Sequence, residues 1–149
     1  MNQDFKKIVA SFSPNGNLIG VDTLPGGYSS DVYILNLREG SRINKIVLRS
    51  EGSPRSENRI STEYHLIQCL KYSNLPLPEA IHIDTSLKYF PKPFMIMSFI
   101  DGKSFEPDDL DFSWMEKVSN LLNDIRSIEI SNLPQLPIRI DPLDSLLEY

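Results

Sequence analysis

Leu24-Pro25-Gly26-Gly27-Tyr28-Ser29-Ser30-Asp31-Val32-Tyr33 is the stretch on which the reading of this chain turns. It begins at the end of one strand pattern, Leu18 to Leu24, and runs into a second, Val32 to Leu37. Paired glycines between two strands reach positive φ without steric cost and expose backbone N–H groups. Ser29 and Ser30 add hydroxyl donors, and such a turn can close over an anion such as a phosphate. A plain hairpin needs Gly-Gly just as much, so the turn by itself leaves both readings open. Ser29 has no base near it in sequence, which leaves a nucleophilic triad unsupported.

The pattern continues outward on both sides. Arg38-Glu39-Gly40-Ser41 reads as a hairpin turn and Lys45 to Arg49 as the returning strand, so residues 18–49 form three consecutive antiparallel strands. Polar residues 50–57 make a loop. A helix is expected from Glu57 to Tyr72, with Ile60, Tyr64, Ile67 and Leu70 at helical spacing. Leu66 and Cys69 widen that stripe, which makes Cys69 a small buried hydrophobe. Pro76 and Pro78 force their predecessors into extended geometry. Ala80 to Asp84 is a fourth strand. Phe94 to Ile100 is a fifth, its nearly unbroken apolar run implying burial on both faces. Acidic residues 105–111 lead into a helix from Phe112 to Ile128, with Phe112, Met115, Val118, Leu122 and Ile125 on one face. Upstream, Phe5, Ile8, Val9 and Phe12 mark a helical face that ends at Ser13-Pro14-Asn15-Gly16. Pro134, Pro137 and Pro142 make the last twenty residues mostly irregular, with Asp141-Pro142 placed to start one further short helix. The fold class is α+β: a five-stranded antiparallel sheet with one packed helix, followed by a helical segment.

Composition narrows the function. At 149 residues the chain fits one domain, and 15 Lys+Arg against 20 Asp+Glu give a net charge of −5. An acidic chain without a basic block argues against nucleic acid or an anionic membrane as partner. No apolar run approaches the ~20 residues that span a bilayer, and Met1 to Phe12 lacks the apolar core of a signal peptide. The expected location is cytoplasmic. Cys69, His65 and His82 are too few for an all-Cys/His zinc site. Asp108-Asp109-Leu110-Asp111 suits the N-terminal charge of the following helix better than a metal. His82-Ile83-Asp84 matches His-x-Asp, yet the fifth residue beyond Asp84 is Tyr89 rather than Asn, so a strand is the better reading.

Arg49 follows Gly26 by 49 − 26 = 23 residues, and Glu63 lies on the next helix. A cation on that strand can reach phosphates under the turn, and a helix carboxylate can hold it. A purely structural salt bridge is the other reading of the pair. Pro93 to Gly102 is an apolar strand running into a polar linker, suited to a hinge whose backbone receives a purine ring.

Taken in order, these stretches resemble the N-terminal lobe of the aminoglycoside phosphotransferase family, the small-molecule branch of the protein-kinase-like fold. The resemblance rests on Leu24-Pro25-Gly26-Gly27-Tyr28-Ser29, Val47-Leu48-Arg49, Glu63-Tyr64, Leu75-Pro76-Leu77-Pro78 and Pro93 to Gly102. It implies a kinase-like, nucleotide-binding N-lobe over residues 1–104. Residues 105–149 would be a linker and the first helix of an incomplete C-lobe, with Trp114 and Met115 in the interlobe core. It implies roles as well. Gly26, Gly27, Tyr28, Ser29 and Ser30 would cover the phosphates of ATP. Arg49, in place of the kinase lysine, would contact the α- and β-phosphates and pair with Glu63. Met97 would back the adenine pocket, and the Ser98 carbonyl and Ile100 amide would bond the adenine edge. The family's His-x-Asp-x-x-x-x-Asn loop and metal-binding Asp do not follow the hinge within residues 103–149. Hence no catalytic residue is assigned, magnesium is expected only with the missing lobe, and the chain alone is expected to be inactive. The function implied is the ATP-binding lobe of a phosphotransferase that moves a phosphoryl group to the hydroxyl of a small acceptor. A non-catalytic nucleotide- or protein-binding module, or a truncated remnant that self-associates through a bare interlobe surface, are the alternatives.

Overall fold

The computed structural model of the protein describes residues 2–24, 30–52, 59–102, 112–129, 131 and 133. Among them, α1 spans Asn2–Phe12, β1 Asn17–Leu24, β2 Ser30–Glu39, β3 Arg42–Glu51, α2 Arg59–Cys69, β4 Ala80–Asp84, β5 Phe94–Ser98 and α3 Phe112–Arg126. A single 3-10 turn, Leu70–Tyr72, ends α2. The strands form one sheet in the order β1-β2-β3-β5-β4, and each neighbouring pair is antiparallel. This is the five-stranded α+β architecture expected from the strand patterns.

The alternation of side chains along the strands gives the sheet two different faces. One face carries Leu35 and Leu37 of β2, Ile46 and Leu48 of β3, and Phe94 and Ile96 of β5. Helix α1 lies on it through Phe5, Ile8 and Val9, all buried. Phe5 sits 5.1 Å from the Tyr33 ring and 5.9 Å from Phe90. The period of α1 was thus a correct guide to burial, and α1 is a second helix packed on the sheet. The opposite face carries Val32 and Ile34 of β2, Val47 and Arg49 of β3, and Met95 and Met97 of β5, as the register pairs Val32↔Arg49 and Val47↔Met97 require. Helix α2 packs near this face, anchored by Ile60 at 3% exposure and by a 2.7 Å hydrogen bond from Gln68 Nε2 to the Ala80 carbonyl of β4.

The β2–β3 turn is two residues, Gly40-Ser41, and Gly40 takes φ +61°, a left-handed conformation that an L side chain resists. Four expectations change. Strand β5 ends at Ser98, so Phe99 and Ile100 lie past the ladder. The described part of the 57–72 helix ends as α-helix at Cys69. Cys69 itself is exposed. It lies nine residues beyond Ile60, about 900° of helical rotation, which places it opposite the buried anchor. Widening the stripe by sequence adjacency missed this half-turn. Helix α3 is exposed along its length: Phe112, Met115, Val118, Leu122 and Ile125 all face solvent, and Trp114 is exposed too. The interlobe burial expected of Trp114 and Met115 is therefore not formed among the described residues. The acidic run at 108–111 and the Asp141-Pro142 start lie outside the described residues.

Candidate functional site

The site is built around Arg49. It occupies the α2 side of β3, directly across from Val32 on β2 and Met95 on β5. Its guanidinium is held by two elements. Nε donates to Ser30 Oγ at 3.2 Å, from the first residue of β2. Nη1 donates to Glu63 Oε1 in a close ion pair. Glu63 reaches it because it stands three residues after Ile60, on the adjoining edge of α2. Glu51 Oε1 lies 3.5 Å from the Ile60 amide and joins the end of β3 to the first turn of α2. The side chains of Arg49 and Glu63 keep 31% and 28% exposure, so the pair is open to solvent on one side. A half-buried, charge-assisted bond of this kind fixes geometry more than it adds stability.

Of the residues expected in the site, the fold brings Arg49, Glu63 and Ser30 together. Gly26, Gly27, Tyr28 and Ser29 lie outside the described residues. Their chain connects Leu24 to Ser30, and both flanks are placed: Leu24 pairs with Val32, and Ser30 pairs with Glu51. The two described ends of that segment, Leu24 and Ser30, therefore stand beside Val32 and Arg49. Met97 lies on the same face, paired with Val47, two residues along β3 from Arg49. That spacing is about 6.6–6.8 Å along a strand. Ser98 closes β5. Its amide donates to the Glu79 carbonyl at 2.9 Å, and its hydroxyl accepts from the Glu79 amide at 2.9 Å, so the end of β5 is stapled to the segment entering β4. Ile100 is exposed beyond the strand.

The structure adds residues that the sequence analysis left without a role. Val32, Ile34 and Val47 make an apolar strip on the same face as Arg49, continuous with Met97. Strand alternation counted from Arg49 was the signal that could have found Val47, whereas Val32 and Ile34 join it only through the β2–β3 register. His82 is accounted for by packing, its ring 5.8 Å from Phe12 and 6.4 Å from Phe94. Among the described residues no group of three His, Cys, Asp or Glu is arranged to hold a metal. The arrangement can therefore do two things: present a fixed cation between the described ends of the Gly-Gly segment, and offer an apolar surface next to it.

A five-stranded antiparallel sheet with helices packed on it is also found in known proteins. The model of the phosphotransferase enzyme family matches residues 20–147 of this chain. The chain belongs to that family. The match takes in β2 to β5, Arg49, Glu63 and Pro93 to Gly102, so the family expected from Leu24 to Gly102 is the one found. Seven chains of known structure match the fold of this phosphotransferase family member. One is the crystal structure of a candidate aminoglycoside phosphotransferase from Ralstonia eutropha JMP134, which superposes with a TM-score of 0.66 at 14% identity. The superposition covers 88% of this chain and 39% of that one, so the chain spans about two fifths of that protein's length. At that identity the likeness is one of fold. No curated protein matches the sequence. No described helix is long and apolar enough to cross a membrane.

Proposed function

We propose that this chain is the ATP-binding lobe of a small-molecule phosphotransferase. The observation that carries the reading is the Arg49–Glu63 ion pair between the described ends of the Gly-Gly segment, within a chain of this family. Arg49 is the cation for the α- and β-phosphates, and Glu63 keeps it from collapsing onto the sheet. The backbone N–H groups of residues 26–30 cover the phosphates, as a turn rich in glycine permits. Val32, Ile34, Val47 and Met97 take one face of the purine, and the Ser98 carbonyl and Ile100 amide bond its edge. The nucleotide supplies the γ-phosphoryl group. Every contribution of this chain is positioning and charge stabilisation, the terms that dominate phosphoryl transfer.

In this reading residues 1–104 are the nucleotide lobe, and residues 105–149 begin the acceptor-binding lobe. No base and no metal ligand of the transfer is assigned to these 149 residues; what they contribute in this reading is the binding of the nucleotide and the placing of its phosphates. The acceptor is a small hydroxylated molecule. The apolar stripe of α3 is assigned to packing between the lobes, and in the isolated chain it is the surface through which copies associate.

The reading is tested by thermal unfolding with and without MgATP. A ligand that binds only the folded chain raises Tm by mass action, by an amount equivalent to about 1.4 kcal/mol once its concentration reaches roughly ten times Kd. A shift in the wild type that disappears in Gly27→Val and Arg49→Ala supports it. A shift unaffected by either change sinks the site assignment.

A further inference from the structure

Arginine stands at position 49, and its surroundings show what an arginine does there that a lysine does not. The guanidinium is bonded at two different nitrogens, Nε to Ser30 of β2 and Nη1 to Glu63 of α2. Contacts from two elements on two edges of the fork fix its plane as well as the position of its charge. Nη2 bonds to no described residue. Ser30 is 9% exposed, although it directly follows the Gly-rich turn. Its oxygen is turned inward as the acceptor for Nε–H. A lysine has a single terminal nitrogen and no counterpart to Nε. If that nitrogen stayed on Glu63, it would leave the buried Ser30 oxygen without this donor, and a lost partner in a buried site is costly.

We infer that Ser30 is a positioning residue for Arg49. Its hydroxyl holds the Nε edge so that the Nη2 N–H groups stay available to a phosphate oxygen, and it thereby makes position 49 specific for arginine over lysine. This role differs from direct cover of the phosphates, and it rests on the nucleotide-binding function proposed above.

The test is a cycle of four 149-residue chains: wild type, Ser30→Ala, Arg49→Lys and the double variant. Each is titrated with a fluorescent ATP analogue in the presence of magnesium. A charge-assisted hydrogen bond lost from the Arg49 support weakens binding about tenfold in Ser30→Ala. Arg49→Lys weakens it by about as much in the wild type, yet by less than about twofold in the Ser30→Ala background, because residues acting through one another are non-additive. Ser30→Thr, which keeps the hydroxyl, stays within about twofold of wild type. Full additivity of the two changes overturns the inference. A second readout needs no nucleotide. The Arg49 Nε–H resonance, identified by its absence in Arg49→Lys, exchanges with water at least about tenfold faster in Ser30→Ala; an unchanged rate overturns the inference. The two levels separate cleanly. Arg49→Ala binding as tightly as wild type defeats the proposed site, and with it this role. Loss of binding in Arg49→Ala alongside an unchanged Ser30→Ala defeats only the role of Ser30.

Discussion

Replacing Ile60 by alanine couples the stability of the fold to the geometry of the site. Ile60 is the one side chain of α2 that is fully buried, at 3% exposure. Removing its outer carbons costs the transfer energy of the lost methyl and methylene groups plus the cavity they leave, about 2–4 kcal/mol for a buried isoleucine. Against a total stability on the order of 5–15 kcal/mol, the domain remains folded at 25 °C but is clearly weakened. The loss falls on the element that carries Glu63, so α2 loosens and the Arg49–Glu63 bond is sampled less. Phe5→Ala is the matched control. Phe5 is as deeply buried, at 1%, but lies on the α1 face of the sheet, opposite Arg49. It costs about 3–5 kcal/mol and leaves the site face untouched. Urea unfolding followed by circular dichroism gives the two stabilities, and the exchange rate of Arg49 Nε–H reads the site. Ile60→Ala is expected to move both, and Phe5→Ala only the first under conditions where each chain is folded. If Ile60→Ala costs less than about 1 kcal/mol, or if both variants disturb the Arg49 signal equally, α2 is not the anchor described above.

Other consequences follow from single sites. Leu87 is exposed and holds φ +59° between β4 and β5, where an L side chain is strained, so Leu87→Gly is expected to be neutral or stabilising by up to about 1 kcal/mol in the same urea assay. Partial burial pushes the Asp84 carboxyl upward, but the Ser86 hydroxyl and amide bonds and the charges of His82 and Lys88 together hold it below its ordinary value. A carboxylate depressed in the folded state adds stability above its unfolded pKa and loses it as pH falls through the folded one. Asp84→Asn should therefore cost under about 1 kcal/mol at neutral pH, and the difference from wild type should vanish in acid; a gap that persists below that range contradicts the role. On α3, Val118→Ser with Leu122→Ser should abolish concentration-dependent association seen by sedimentation, because both lie in the exposed apolar stripe; unchanged association would place the contact elsewhere.

How much of this was legible in the sequence depends on the range of the contact. The strands and their order along the chain follow from alternation and turn residues, which are local. The side of the sheet that α1 covers is not local: the Phe5-Ile8-Val9 face says that something is buried, while the strand register decides what. Arg49 and Glu63 could be paired from spacing and family pattern. The Ser30 contact could not, because it joins residues 19 apart through the β2–β3 register, in which Ser30 faces Glu51 and Val32 faces Arg49. The part of the apolar strip formed by Val32 and Ile34 was hidden for the same reason. Cys69 shows the limit of reading a helix by neighbours, since its half-turn from Ile60 outweighs its place beside apolar residues.

The central claim is that Arg49, held by Glu63, binds the phosphates of ATP. Isothermal titration of the 149-residue chain and of Arg49→Ala with MgATP tests it most directly. A saturable, one-to-one heat in the wild type that falls by at least tenfold in affinity, about 1.4 kcal/mol, in Arg49→Ala is the predicted result. Equal affinities in the two chains, or no binding by the wild type at millimolar nucleotide, would contradict it.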